Sequence, residues 1–226
     1  MFGNIVNALA IIAGSLLGLF LFRGRMKGEM NDSLIKATAL AILLIGLKNA
    51  WAGENMLLII FSLVIGTFLG ELIGIERRLE DLGKFVESKL KGDNIARGFV
   101  TASLLYCVGS MAILGSLEGG LRNQHDILLA KAVLDGVISI MFTSTLGAGV
   151  IFSAIPVFIY QGAIVLGAVF VKDLLTDQVI ANLSGVGGLL IAALALNQLE
   201  VRKIRVGNML PAVFIPVVYE LILKAI

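Results

Sequence analysis

Residues 128–147 read LLAKAVLDGVISIMFTSTLG. The run is long and apolar enough to cross a bilayer, yet it carries Lys131 and Asp135. A charge at bilayer depth costs at least ~2.5–3.5 kcal/mol on insertion scales. Four residues apart on a helix, the two side chains stack on one face and can pair. Ser139 and Thr143 continue the same line, with Ser144 close by. A lipid-facing helix would not keep such a stripe, so it faces the protein interior or a wet cavity. Two readings stay open: a buried structural ion pair that fixes helix register, or a site on a solute or ion path.

Working outward, composition sets the class. Hydrophobic residues make up 58% of the 226 and charged residues 15%, against roughly 25% charge in a soluble domain. The expected fold is all-α: a polytopic transmembrane helix bundle. Apolar runs near 20 residues without period-2 alternation argue against an outer-membrane barrel. A single cysteine, Cys107, excludes an internal disulfide and a Cys-cluster metal site, and the one histidine, His125, sits in a polar stretch beside Asp126. No metal and no cofactor are expected. The N-terminal MFGNIVNALA lacks a basic n-region and a small-residue cleavage site, so it reads as a retained first span.

About eight spans follow: 3–22, 32–49, 56–75, 98–116, 127–147, 155–175, 180–199 and 208–226. The apolar link 148–154 carries no charge, which fits a break within the membrane. Basic residues orient the chain. With the N-terminus outside, Arg23, Arg25, Lys27, Arg77, Arg78, Lys84, Lys89, Lys91, Arg97, Arg202, Lys203 and Arg205 lie inside, against Lys48, Arg122, Lys172 and Lys224 outside. This bias predicts both termini outside. Residues 75–90 place Ile75, Leu79, Leu82, Val86 and Leu90 at helical spacing among mixed charges. They read as an amphipathic helix on the cytoplasmic face. Mixed signs and the lack of an aromatic platform make a poor nucleic-acid surface, so no nucleic-acid partner is expected.

NDSLIKATALAILLIGLKNAW and LVIGTFLGELI (31–51 and 63–73) resemble DQVIANLSGVGGLLIAALALNQL and VFIPVVYELI (177–199 and 213–222). Asn49 falls opposite Asn197 and Glu71 opposite Glu220; with another offset, Asn7 falls opposite Gln161. An odd number of spans separates the copies, so the expectation is an inverted repeat of spans 1–3 against 6–8, with 4 and 5 central. The chain is then one transmembrane domain: copy A at 1–75, the cytoplasmic segment 76–97, central spans 98–154 and copy B 155–226. The alternative is chance similarity between Leu/Gly/Ala-rich helices.

Gly66, Gly70 and Gly74, like Gly14 and Gly18, recur every fourth residue. They suit close helix packing, within the chain or in a homo-oligomer. Gly185, Gly187 and Gly188 signal either close packing or a locally unwound helix. In span 4, Thr101, Ser103, Ser110 and Ser116 add hydroxyls while Gly109 and Gly115 weaken the helix around Met111. These hydroxyls either bond their own backbone carbonyls or face the Lys131–Asp135 stripe as a polar chamber.

GNIVNALAIIAGSLLG (3–18), FVTASLLYCVGSMAILGSLEGGL (99–121), LLAKAVLDGVISIMFTSTLGAGV (128–150), IPVFIYQG (155–162) and VGNMLPA (206–212) together resemble the YqgA/YdfK-like bacterial membrane proteins, a family classed as a domain of unknown function. The resemblance covers essentially the whole chain. It implies a bacterial or archaeal cytoplasmic (inner) membrane location and a family commonly described as transporting, without a substrate or site residues to carry over.

The functional expectation is a small secondary transporter or channel for a solute or ion, with the lipid bilayer as its surroundings. Its path candidates are Asp135, Lys131, Ser139, Thr143, Ser110, Thr101, Asn7, Gln161, Asn49, Asn197, Glu71 and Glu220. The alternative is a non-transporting scaffold or accessory protein with a structural pair. No Ser/His/Asp set or His-x-x-x-His pair exists, so an enzyme is not expected.

Overall fold

The computed structural model describes residues 1–22, 28–78, 81, 95–108 and 110–225. Most of the expected amphipathic segment 76–97 lies outside the described residues, as do Arg23, Arg25, Lys27, Lys84, Lys89, Lys91 and Gly109. Among the described residues every regular element is helical: α1 (Phe2–Phe22), α2 (Gly28–Trp51), α3 (Met56–Ile73), α4 (Ile95–Val108), α5 (Ser110–Leu121), α6 (Asp126–Leu146), α7 (Gly149–Phe152), α8 (Ala154–Val171), α9 (Asp177–Gln198), α10 (Val206–Met209), a 3-10 turn (Leu210–Phe214) and α11 (Ile215–Ala225).

Among the described residues seven spans are long and apolar enough to cross a membrane, and α4 with α5 makes an eighth if the bent pair is one span. The two are inclined by 58°. A Cβ on Gly98 would meet the Leu146 carbonyl at 2.9 Å, and one on Gly115 would meet Leu128. Tyr106 bonds Ser139 between them. The pair thus runs the length of α6, antiparallel to it and roughly 31 Å at 1.5 Å per residue. A broken crossing produces that register; a re-entrant loop would return to its starting end.

Two sequence expectations need correction. Span 4 is not one helix over 98–116 but two, reaching from Ile95 to Leu121. The stretch after Ser116 is helical to Leu121 rather than a loop, because its glycines are used for contact: a Cβ on Gly120 would lie 2.4 Å from the Val165 carbonyl. The last span crosses as one run, Val206–Lys224, with its helix tightened near the start. Pro211, which has no N–H to donate, stands at the start of the 3-10 turn between α10 and α11. The 148–154 link is the one-turn helix α7, and α9 runs unbroken through Gly185–Gly188, which selects close packing over unwinding.

The described residues group into two compact units, each discontinuous in sequence: Met1–Thr38, Asp81–Cys107 and Met111–Phe170 form unit 1; Ala39–Glu80, Val108–Ser110 and Val171–Ile226 form unit 2. In unit 1, α1 packs parallel to α6. Gly14 faces the Gly136 backbone and Gly18 the Ile140 carbonyl. The absence of side chains there lets the two backbones touch, which is how helices associate in lipid, where apolar surface alone gives little drive.

In unit 2, α9 is the core helix, buried along almost its whole length. It crosses α2 antiparallel: Gly46 abuts Ala192 and Gly188, while Gly53 abuts Gly185. Polar side chains close the turns of this unit. Asn182 Oδ1 accepts from the Glu54 and Asn55 N–H groups at 3.1 and 2.9 Å, and Asn55 caps α3 through the Leu58 N–H. Asn208 Oδ1 accepts from the Glu76 N–H at 2.7 Å, while Glu76 Oε2 accepts from the Gly207 N–H at 2.6 Å. The outer face of α3 exposes Leu57, Phe61, Val64, Phe68 and Leu72. A continuous apolar surface of this kind belongs in lipid.

Candidate functional site

The charged stripe lies inside unit 1. Lys131 Nζ donates to Asp135 Oδ2, and each residue is only 5% exposed. Among the described residues these are the two buried charged side chains. Pairing alone leaves lone pairs and protons over in a dry interior, and neighbouring helices supply further partners. From α4, Tyr106 lays its ring under Lys131, with Nζ 5.6 Å from the centroid, a position in which the ring face attracts the cation. The Tyr106 hydroxyl bonds Ser139 Oγ at 2.8 Å, and the ring stacks on Phe142 with centroids 6.4 Å apart. Both Ser139 and Phe142 lie on α6, so α4 grips the stripe from one side.

From α1, Asn7 comes close enough to Asp135 to act on its carboxylate. Asn7 Nδ2 donates to Gln161 Oε1 of α8 at 3.3 Å. One turn earlier Asn4 Nδ2 donates to the Phe158 carbonyl at 3.0 Å. Two bonded pairs therefore stand side by side, Asn7 with Gln161 and Lys131 with Asp135, with Tyr106 and Ser139 flanking them. Three atoms around them are buried with no hydrogen-bond partner among the described residues: Asn4 Oδ1, Asn7 Oδ1 and Gln161 Nε2; Thr143 Oγ1, in the same state, lies two turns further along α6 beside Gly18. Buried polar atoms are normally satisfied, and each exception needs a cause.

Unit 1 thus gathers Lys131, Asp135, Ser139, Thr143, Asn7 and Gln161, and it also holds Thr101, buried on α4. Ser110 begins α5, with its side chain outside the described set. The other four candidates belong to unit 2. Asn197 clips the Ile204 backbone through both amide atoms at 2.7 Å. Asn49 lies where α2 meets Gly188. Glu71 forms an exposed ion pair with Arg205 at 3.4 Å, and the partly buried Glu220 pairs with Lys224 one turn on at 3.4 Å. Sequence reasoning missed Tyr106 and Asn4. Asn4 was findable, because it shares a face with Asn7 one turn away on an otherwise apolar helix. Tyr106 carries no such signal within an apolar run. No group of three or more His, Cys, Asp or Glu suited to a metal ion occurs among the described residues.

The family described as "Protein of unknown function (DUF554)" matches residues 2–221. Over 229 residues the chain is 35% identical to the "Uncharacterized membrane protein YdfK" of Bacillus subtilis (strain 168), covering 100% of this chain and 98% of that one. Over 220 residues it is 27% identical to the "Uncharacterized protein YqgA" of Escherichia coli (strain K12), covering 94% and 93%. No solved structure matches the chain.

Proposed function

The chain belongs to the DUF554 family, and from that premise we propose that it is a small secondary transporter or channel, passing a polar solute or ion across the cytoplasmic membrane along the Lys131–Asp135 stripe. One observation carries this. A purely structural ion pair needs its own partners and nothing more, yet beside this pair Asn4, Asn7 and Gln161 keep buried acceptors and a donor with no partner among the described residues. Such atoms are costly in a dry interior, and a passing polar species is a use for them. The chemistry is binding and release, with no catalytic group assigned. The inverted repeat is part of the same proposal. It is supported by the Asn7–Gln161 bond between residues that the sequence sets opposite each other, and by the antiparallel pairing of α2 with α9.

Purified protein in liposomes, assayed for Na⁺, K⁺, glycine, serine and succinate flux, tests this. Lys131→Met combined with Asp135→Leu is expected to fold and elute as wild type but to lose flux. A second reading, a scaffold or accessory protein with a structural pair, is favoured by the near-complete burial of both charges. Undiminished flux in the double variant would remove the pair from the path.

Orientation follows from the basic residues, with both termini outside. A membrane-impermeant thiol reagent applied to intact cells, in a Cys107→Ser background, is expected to label Arg122→Cys and not Arg202→Cys. The reverse pattern would invert the topology.

A further inference from the structure

We infer that the unit 1 site takes a small zwitterion of the α-amino acid kind, its ammonium and carboxylate borne on one carbon. This deepens the transport reading above and rests on it. Lys131 and Asp135 are the two buried charges among the described residues and have opposite signs, so the interior they occupy is neutral. An ion of either sign entering it would leave one charge without a counterpart, the costly state for buried ionic groups. A zwitterion preserves neutrality while opening the pair: its ammonium takes over Asp135 and its carboxylate takes over Lys131.

The geometry narrows the class further. Lys131 and Asp135 are in direct contact along one helix face, so the ligand's opposite charges must also be adjacent. Groups attached to the same carbon meet that condition, and charges at the two ends of a long chain do not. The unpartnered atoms have both polarities, as a zwitterion requires. Asn4 Oδ1 and Asn7 Oδ1 are acceptors free for an ammonium, and Gln161 Nε2 is a donor free for a carboxylate. Asn4, Asn7 and Gln161 are wholly buried. A sugar would use such donors and acceptors but would leave the ion pair closed.

The test uses the full chain in liposomes with radiolabelled glycine and serine, ethanolamine as the cation alone, glycolate as the anion alone, and glycerol as the uncharged control. Current is recorded on a solid-supported membrane. Glycine or serine flux should exceed that of each of the other three by about ten-fold or more, and Gln161→Leu should weaken it in protein that remains folded. Ethanolamine or glycolate flux accompanied by current would overturn the zwitterion assignment and leave transport standing. Flux of none of the five by folded protein would overturn the zwitterion assignment, and the further absence of Na⁺, K⁺ and succinate flux would overturn transport as well.

Discussion

Asp135→Leu alone is expected to destabilise the protein by about 3–5 kcal/mol, the cost of leaving one member of a buried pair uncompensated. Lys131 would keep its contact with the Tyr106 ring but lose the carboxylate to which it donates. Its side chain is 6% exposed, so water cannot easily replace that partner. Adding Lys131→Met should recover most of the loss, because a buried ion pair exchanged for apolar residues of similar volume is often neutral or stabilising. Unfolding in detergent micelles by heat measures both variants. At roughly 2–4 °C per kcal/mol for a chain of this size, the single change should lower Tm by about 6–20 °C. Arg122→Gln, in an exposed turn, is the comparison and should shift Tm by less than a degree or two. A single variant as stable as wild type would mean that Lys131 finds another partner or reaches water, contrary to its burial.

Gly70→Ala should rank with it. A Cβ at Gly70 would stand 1.9 Å from the Asn208 carbonyl oxygen, far inside the ~3.5–4 Å at which heavy atoms rest. The obstacle is backbone, so no rotamer change relieves it, and α3 must back away from α10. That movement also pulls on two bonds held by the same turn, Glu76 N–H to Asn208 Oδ1 and Gly207 N–H to Glu76 Oε2. Overpacking costs about 1–3 kcal/mol, and each neutral hydrogen bond lost adds about 1 kcal/mol. Gly14→Ala, with its Cβ 2.1 Å from the Gly136 carbonyl oxygen, should do the same in unit 1. Gly167→Ala is the internal control. Nothing lies within 4 Å of its Cβ, and relief from glycine's backbone entropy should stabilise the helix by about 0.5–1 kcal/mol. Equal behaviour of Gly70→Ala and Gly167→Ala would refute the close helix contact.

These glycines show where sequence stops. Their four-residue spacing announces close packing but not the partner, which is an intrachain backbone at Gly14, Gly18, Gly66 and Gly70. The same division holds at the site. That Lys131, Asp135, Ser139 and Thr143 share a buried face follows from helix period and the cost of charge in lipid, both local properties. The arrival of Tyr106 and Asn4 depends on which helices pack around α6.

The sequence by itself determined the membrane class, the approximate spans and the buried stripe. Each depends only on how much apolar length the bilayer demands and on where the side chains of one helix point. Only the tertiary structure decided that span 4 bends, that α9 stays whole through its glycines, that Glu71 and Glu220 sit in ion pairs of their own, and that Asn7 bonds Gln161. Those outcomes turn on contacts between residues as far as 154 positions apart, and no local period encodes which distant backbone a glycine or an asparagine will meet.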